Sequence, residues 1–301
     1  MITSLKLGIP VEFGPIEMWP VTPRLSVEPR PWAGYEALRV DEAPEPDPGR
    51  LWAQNDGQTP VFLPVGFLIG GLQQSRMLLE DLFIGVGEDF EIPVACVEAG
   101  RFSGRQASRQ AGRAPVSVLA ATFDSTSGPL PRGRRQTAVW DAVMRQERRS
   151  GTRPTHSLEQ VMQEDLRGPT VQRRIAAEIE HRFTPDANQI GAVIAVSGAP
   201  LLMETFESPA LASHLLTDLL RSVAFDVDYA HPFPSTPDTI KDFVRQARRT
   251  SFDVEQRTSG SFLQSGSNDR VSIHGTWRSP KDCLHLLAIN HQHPILQGAA
   301  L

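Results

Sequence analysis

The order in which two hydrophobic periods follow one another constrains this chain more than any single residue does. From residue 1 to 98, short apolar runs are cut by proline, glycine and acids, a pattern that suits strands and leaves no room for a helical stripe. Strands are predicted at 9–13, 16–21, 35–41, 51–55, 61–68, 77–84 and 90–97, with turns such as Glu42–Gly49 and Asn55–Gly57 between them. A 3.6-residue period then takes over and predicts helices at 136–149, 157–166 and 171–182, the second opened by Ser157 with Gln160 as a capping box. A hairpin follows at 190–196 and 201–206. Ser208 and Pro209 then open a leucine-striped helix, and another helix is predicted at 237–249. Strands return at 260–264, 271–277 and 283–290. Strand-rich, then helical, then mixed is not the alternation of βαβ units, so the reading is an α+β fold. Its N-terminal third is a sandwich or small barrel, its middle is helical, and hairpins and helices occupy the C-terminal part. We read 1–301 as one composite domain with a sub-boundary near 125–135.

Between the first strands and the helices lies a stretch rich in Arg, Gly, Ser and Gln, residues 100–133. It reads as a loop with one strand at 116–123. Arg101, Arg105, Arg109 and Arg113 recur every four residues there, but Gly104 and Gly112 oppose a helix. The stretch dominates the charge map. The net charge of -5 divides into -9 over residues 1–98, +7 over 99–149 and -3 over 150–301. Arginine supplies 27 of the 30 cations, and only Lys6, Lys241 and Lys281 are lysine. A reader of duplex nucleic acid is therefore not expected, and an anion, if one binds, is expected at the basic island. No apolar run is long enough to cross a bilayer, no signal peptide is apparent, and the two cysteines, Cys96 and Cys283, suit a reducing compartment, so a cytoplasmic protein is expected.

The densest polar pattern in an apolar context is Gly70-Gly-Leu-Gln-Gln-Ser-Arg76, whose glycines allow close backbone approach and whose Gln74 and Arg76 carry donors suited to an anion or a nucleobase. It has neither the lysine nor the hydroxyl of a phosphate loop. A turn with a solvent-facing arginine stays open as the alternative. In Pro93–Arg101, period two puts Val94, Cys96 and Glu98 on one face, and Arg76 and Arg101 are the natural partners for a buried Glu98. Cys96 reads as a small buried apolar group. His285, His291 and His293 form a cluster with the H-x-H spacing of some metal sites, but no carboxylate partner is apparent, and no metal is expected.

Four stretches, GGLQQSR (70–76), IPVACVEAGRF (92–102), QTAVW (136–140) and QIGAVIAVSGAPLLMETFESP (189–209), together resemble a family of prokaryotic domains. The family is named for its association with ADP-ribosylglycohydrolases and the rhodanese-phosphatase superfamily, the ARPP domain family. The resemblance spans nearly the whole chain. It implies an α+β domain that shares genomic contexts with ADP-ribose- and NAD-linked enzymes and whose own activity is unsettled. The polar residues that match the family pattern are Gln74, Arg76, Glu98, Arg101, Gln136 and Glu204. Gln73 stands where the family usually has a basic residue, and Phe102 where Trp is more typical.

Three functions stay open. The first is a protein that binds an anionic, nucleotide-like ligand related to ADP-ribose or NAD through Gln74, Arg76, Arg101 and Gln136, in NAD- or ADP-ribose-linked metabolism or a conflict response. The second is a hydrolase with Glu98 or Glu204 as general base; whether the chain is an enzyme, and with what cofactor, the residues do not say. The third is a subunit that assembles with itself or with a protein partner through the arginine-rich loop.

Overall fold

The runs expected as strands pair into antiparallel sheets in the computed structural model, which describes residues 5–24, 30–43, 45, 47–99, 106–124, 128–151, 155–227, 233–256, 261–279 and 282–297. The fold is α+β. Its contacts gather into two units: residues 31–122 with 130–170, and residues 1–30 with 123–129 and 171–301.

In the first of these units a six-stranded sheet curls into a nearly closed barrel-like form. Its order is Gln106–Arg113, Phe67–Leu72, Arg76–Leu78, Asp89–Cys96, Arg50–Asn55, Leu38–Glu42. Leu51 and Ala53 point inward with Ile69, Leu78, Ile92 and Val94; along Arg50–Asn55 buried and half-exposed residues alternate, whereas Phe67–Leu72 and Arg76–Leu78 are buried throughout. Two predicted strands are each split. The 61–68 run breaks at Pro64–Gly66, where Gly66 takes a φ of +84°, and the 77–84 run breaks at Leu79–Asp81; the short pieces Val61–Leu63 and Leu82–Ile84 pair with each other.

The arginine-rich stretch departs furthest from its sequence reading. Residues 106–113, expected as loop, form a strand against Phe67–Leu72, with a bulge where Gly112 adopts a φ of +90°. It is the terminal strand of its sheet and polar on both faces, so it carries no hydrophobic alternation to be read. Conversely, the 116–123 strand is the short helix Val116–Ala120. Pro115 sits at its N-cap and accepts from Val118 N at 3.0 Å, and the turn buries Val116, Val118 and Leu119. Tertiary burial has overridden the β-preference of two valines. The helices Arg132–Ser150 and Leu158–Arg167 complete this unit, the latter with Ser157 Oγ accepting from Gln160 N at 3.5 Å.

The other unit is built on a long antiparallel sheet in the order Leu5–Leu7, Ile16–Pro23, Gly191–Val196, Ala199–Phe206, Asp282–Asn290, Val271–Ser279, Phe262–Ser267, Asp253–Gln256. The strands at the start of the chain therefore belong to this sheet. Ser197 and Gly198, with φ of 50° and 82°, make the tight turn of the 191–206 hairpin, both in the left-handed region that a two-residue loop needs to match the right-handed twist of its strands. The helix Pro237–Arg249 buries Ile240, Phe243, Val244 and Ala247 against Trp19, Val193, Met203 and Leu286 of the sheet. Pro209–Ala224 packs on the 191–206 hairpin, with Val171–Arg182 beside it. Its start follows the predicted rule: Ser208 Oγ accepts from Leu211 N at 3.3 Å, with proline in the first turn. Among the described residues no helix is long and apolar enough to cross a membrane.

His293 pins the end of the chain into this unit. It is 1% exposed; its Nδ1 accepts from Ile295 N at 3.2 Å and its Nε2 lies 3.4 Å from the Val196 carbonyl. Burial lowers its pKa to about 4. The unfolded chain then binds a proton between pH 6.5 and 4 that the folded chain refuses, so stability is full above pH 6.5 and falls as pH drops toward 4, by about 3 kcal/mol in all. Urea midpoints of wild type and His293→Asn at pH 7.5 and 4.5 check this. The acid loss is expected to be clearly smaller in the variant, whereas parallel losses would show that His293 titrates alike in both states.

Candidate functional site

The Gly70–Arg76 stretch turns the chain from one strand of the barrel-like sheet into the next, and each of its residues has a structural task. Gly71 has a φ of +85°, and a Cβ there would lie 2.2 Å from the Ala107 carbonyl, so only glycine permits this approach of the two strands. Gln73 N donates to Glu42 Oε1 at 2.9 Å, and Gln74 Nε2 donates to the Glu98 carbonyl at 3.0 Å. Ser75 N donates to Glu98 Oε2 at 3.1 Å, while its hydroxyl donates to Glu159 Oε2 at 3.0 Å. Arg76 then enters the ladder opposite Cys96.

Past Cys96 the chain leaves the sheet and is tied to the start of the Leu158–Arg167 helix. Leu158 N donates to Val97 O at 2.9 Å, Ala99 N donates to His156 O at 2.7 Å, and Glu98 bridges Ser157. On the edge of Cys96 that faces away from Arg76, the Gln136 side chain substitutes for a strand: its Oε1 accepts from Cys96 N at 2.8 Å and its Nε2 donates to Cys96 O at 2.9 Å. One turn further along the same helix, the Trp140 indole hydrogen-bonds the Cys96 sulfur. Burial pushes the Cys96 thiol up, and the thiol donates to the Glu98 carbonyl at 2.8 Å, which suits a packed group rather than a nucleophile.

Gln74, Arg76, Glu98 and Gln136 thus lie around the same strand end, a convergence that the sequence alone leaves open. Arg101 lies outside the described residues. The ion-pair partner of Arg76 is Glu42, with Nη2 3.8 Å from Oε2, rather than Glu98. That distance is too long for a hydrogen bond. Arg76 is 2% exposed, and among the described residues neither Nε nor Nη1 has a hydrogen-bond partner. Holding charged donors in this state costs on the order of several kcal/mol, and folded proteins rarely leave it uncompensated. Glu42 balances the charge without using these N–H groups.

Glu204 belongs to the other unit, on the 191–206 hairpin. Its Oε1 lies 2.6 Å from His285 Nε2, both side chains are fully buried, and Phe206 stacks on the imidazole with centroids 5.1 Å apart. The three C-terminal histidines go separate ways: His285 to Glu204, His293 into the core, and His291 Nδ1 to Ser272 Oγ at 3.4 Å. Among the described residues no group of three His, Cys, Asp or Glu side chains is placed to hold a metal ion.

Sequence reasoning missed a cavity of about 510 Å³ in the same unit, between the Pro237–Arg249 helix and the start of the long sheet. Lys241, Val244, Arg245 and Arg248 line it at the i, i+3, i+4, i+7 spacing of one helix face. That spacing was legible, but alone it reads as a solvated stripe.

A family model, ARPP-1, the ARG and Rhodanese-Phosphatase-superfamily-associated Protein domain, matches residues 4–280. No curated protein and no solved structure matches the chain.

The double hydrogen bond from Gln136 is the most exposed of these structural tasks to mutation. Gln136→Leu keeps the bulk but strands the Cys96 amide and carbonyl, and is expected to destabilise the fold by about 2 kcal/mol. A shift in the urea midpoint worth less than about 0.5 kcal/mol would show that Gln136 is not what satisfies the Cys96 backbone.

Proposed function

We propose, for a chain that belongs to the ARPP-1 domain family over residues 4–280, that it binds an anionic, nucleotide-like ligand related to ADP-ribose or NAD at Arg76. The observation that carries the reading is the buried guanidinium with two unpartnered nitrogens. A planar fork of N–H groups in low dielectric is the arrangement that phosphate oxygens satisfy best. The surroundings favour a nucleotide over a bare anion. Glu42 places a carboxylate close by, which accepts from sugar hydroxyls, and Trp140, 40% exposed, offers an aromatic surface beside Cys96. Gln74 and Gln136 position the strand ends that frame the guanidinium, and Arg101 joins this proposal as a further donor. The family name, with its link to ADP-ribosylglycohydrolases, points the same way, toward NAD- or ADP-ribose-linked metabolism or a conflict response.

Binding is favoured over hydrolysis because both candidate bases are already engaged, Glu98 by the Ser75 amide and Glu204 by His285 at full burial. A general base must reach solvent or substrate to take a proton.

Calorimetric titration with ADP-ribose and NAD tests the proposal on wild type and Arg76→Met. Binding to wild type is expected, with at least tenfold loss in the variant. Arg76→Met also leaves the largely buried Glu42 carboxylate without its counter-charge, so its melting temperature is expected to fall. Arg76→Met with Glu42→Gln removes both charges and should melt near wild type while binding as weakly as the single variant. No heat from wild type at millimolar ligand overturns the proposal. A variant that binds equally well excludes Arg76, and a double variant that melts near wild type and binds as wild type does shows that the single variant lost only its fold.

A further inference from the structure

The cavity beneath the Pro237–Arg249 helix carries a separate inference. Its cationic lining is Lys6, Arg24, Lys241, Arg245 and Arg248, and no carboxylate is among its described lining residues. Such a concentration is unexpected in a chain of net charge -5, and it takes two of the three lysines in the sequence. These five cations come from three separate stretches of chain. Two of them have carboxylate neighbours on their own helix: Lys241 with Asp238 at 3.5 Å, and Arg245 with Asp242 at 2.9 Å. Lys6, Arg24 and Arg248 make no ion pair among the described residues.

Ordinary helix chemistry explains part of this. Basic residues in the last turn of a helix complement its dipole, and Arg248 has that reason to be there. Lys6 and Arg24 do not, since one lies on the Leu5–Leu7 strand and the other follows Ile16–Pro23. Like charges brought together repel, and at helix spacings of three and four, Lys241, Arg245 and Arg248 repel one another as well. An anion reverses the sign of all these terms at once.

The rest of the lining says what else the anion carries. Leu5, Leu7, Val21, Met203 and Val244 form an apolar wall continuous with the core beneath the helix: Val21, Met203 and Val244 are buried members of that core, and Leu5 and Leu7 are half-buried against it. An inorganic ion would leave this wall in water, whereas an apolar group seated on it is favoured in proportion to the area it covers. The volume is that of an ordinary small-molecule site. We infer that this cavity binds a phosphorylated small molecule of about nucleotide size, its phosphate among Arg24, Arg248 and the lysines and its apolar body against Leu5, Leu7 and Met203. This site stands independently of Arg76.

The full chain titrated with 1-naphthyl phosphate, inorganic phosphate and 1-naphthol decides the matter. Naphthyl phosphate is expected to bind at least tenfold more tightly than either part alone, and to weaken as salt is raised. Arg24, Arg248 and Arg249 are all exposed, so their replacement leaves the fold intact. Arg24→Ser with Arg248→Ser should weaken binding at least tenfold. Arg249→Ser, which removes the same kind of charge outside the lining, should change it less than twofold, as should Arg76→Met, which separates this site from the one at Arg76. Absent binding, naphthyl phosphate no tighter than phosphate, an unaffected double variant, or equal loss in Arg249→Ser would each overturn the inference.

Discussion

The antiparallel pairing of Ile16–Pro23 with Gly191–Val196 is the contact on which the rest of the architecture depends. Val21 stands opposite Gly191 and Ile16 opposite Val196, so residues 24–190, more than half of the sequence, are inserted between two neighbouring strands of one sheet. Everything from residue 31 to 122, and from 130 to 170, is an excursion that leaves this sheet and returns to it. Such a closure costs loop entropy before it is rewarded by burial. The reward is correspondingly dense: residues 16–21 are buried without a break, and the strand is flanked on both sides. Because the strand is buried on both faces, it lost the alternation that would have marked it as half-exposed.

What was legible in the sequence is what local physics decides. The helices Val171–Arg182 and Pro237–Arg249 begin and end where the sequence predicts, because an amphipathic stripe acts within a few residues, and the Thr236 hydroxyl caps the second by accepting from Thr239 N at 3.2 Å. The hairpin around Ser197 and Gly198 was legible for the same reason. What failed was decided at long range. The terminal strand Gln106–Arg113 has no apolar face, and its only strand signature is the partner it finds at Phe67–Leu72. Val116–Ala120 has β-branched composition but is turned into helix by Pro115 and by the burial of Leu119. Nothing near residue 5 announces that its strand will join those near residues 200 and 285.

The candidate site divides along the same line. Gln74, Arg76, Glu98 and Gln136 stand out in the sequence as family-pattern residues, but whether they meet is not legible there: Gln74 and Arg76 are close in the chain, whereas Glu98 lies past the end of its strand and Gln136 comes from a separate helix. Nor could their roles be read directly. Gln74 and Gln136 look like ligand donors in a motif, yet each spends its amide on a backbone group that the sheet leaves open. Only the three-dimensional accounting of donors singles out Arg76, whose sequence context is no more distinctive than theirs.

Regional charge misleads for a related reason. The block of +7 over residues 99–149 drew attention to itself, but several of its arginines are committed inside the structure: Arg109 to Glu159, Arg135 to Glu80 at 3.3 Å, and the buried Arg113 to the Val65 carbonyl at 3.3 Å. Lys6, Arg24 and Arg248 sit in stretches whose net charge is negative, and none of the three meets a carboxylate among the described residues. An anion responds to uncompensated charge at a point in space, screened beyond about 10 Å, and not to the sum over a segment. In this chain folding has neutralised part of the conspicuous cluster and assembled a less conspicuous one from three distant stretches, so the net charge of a segment is a poor guide to where its counter-ion will bind.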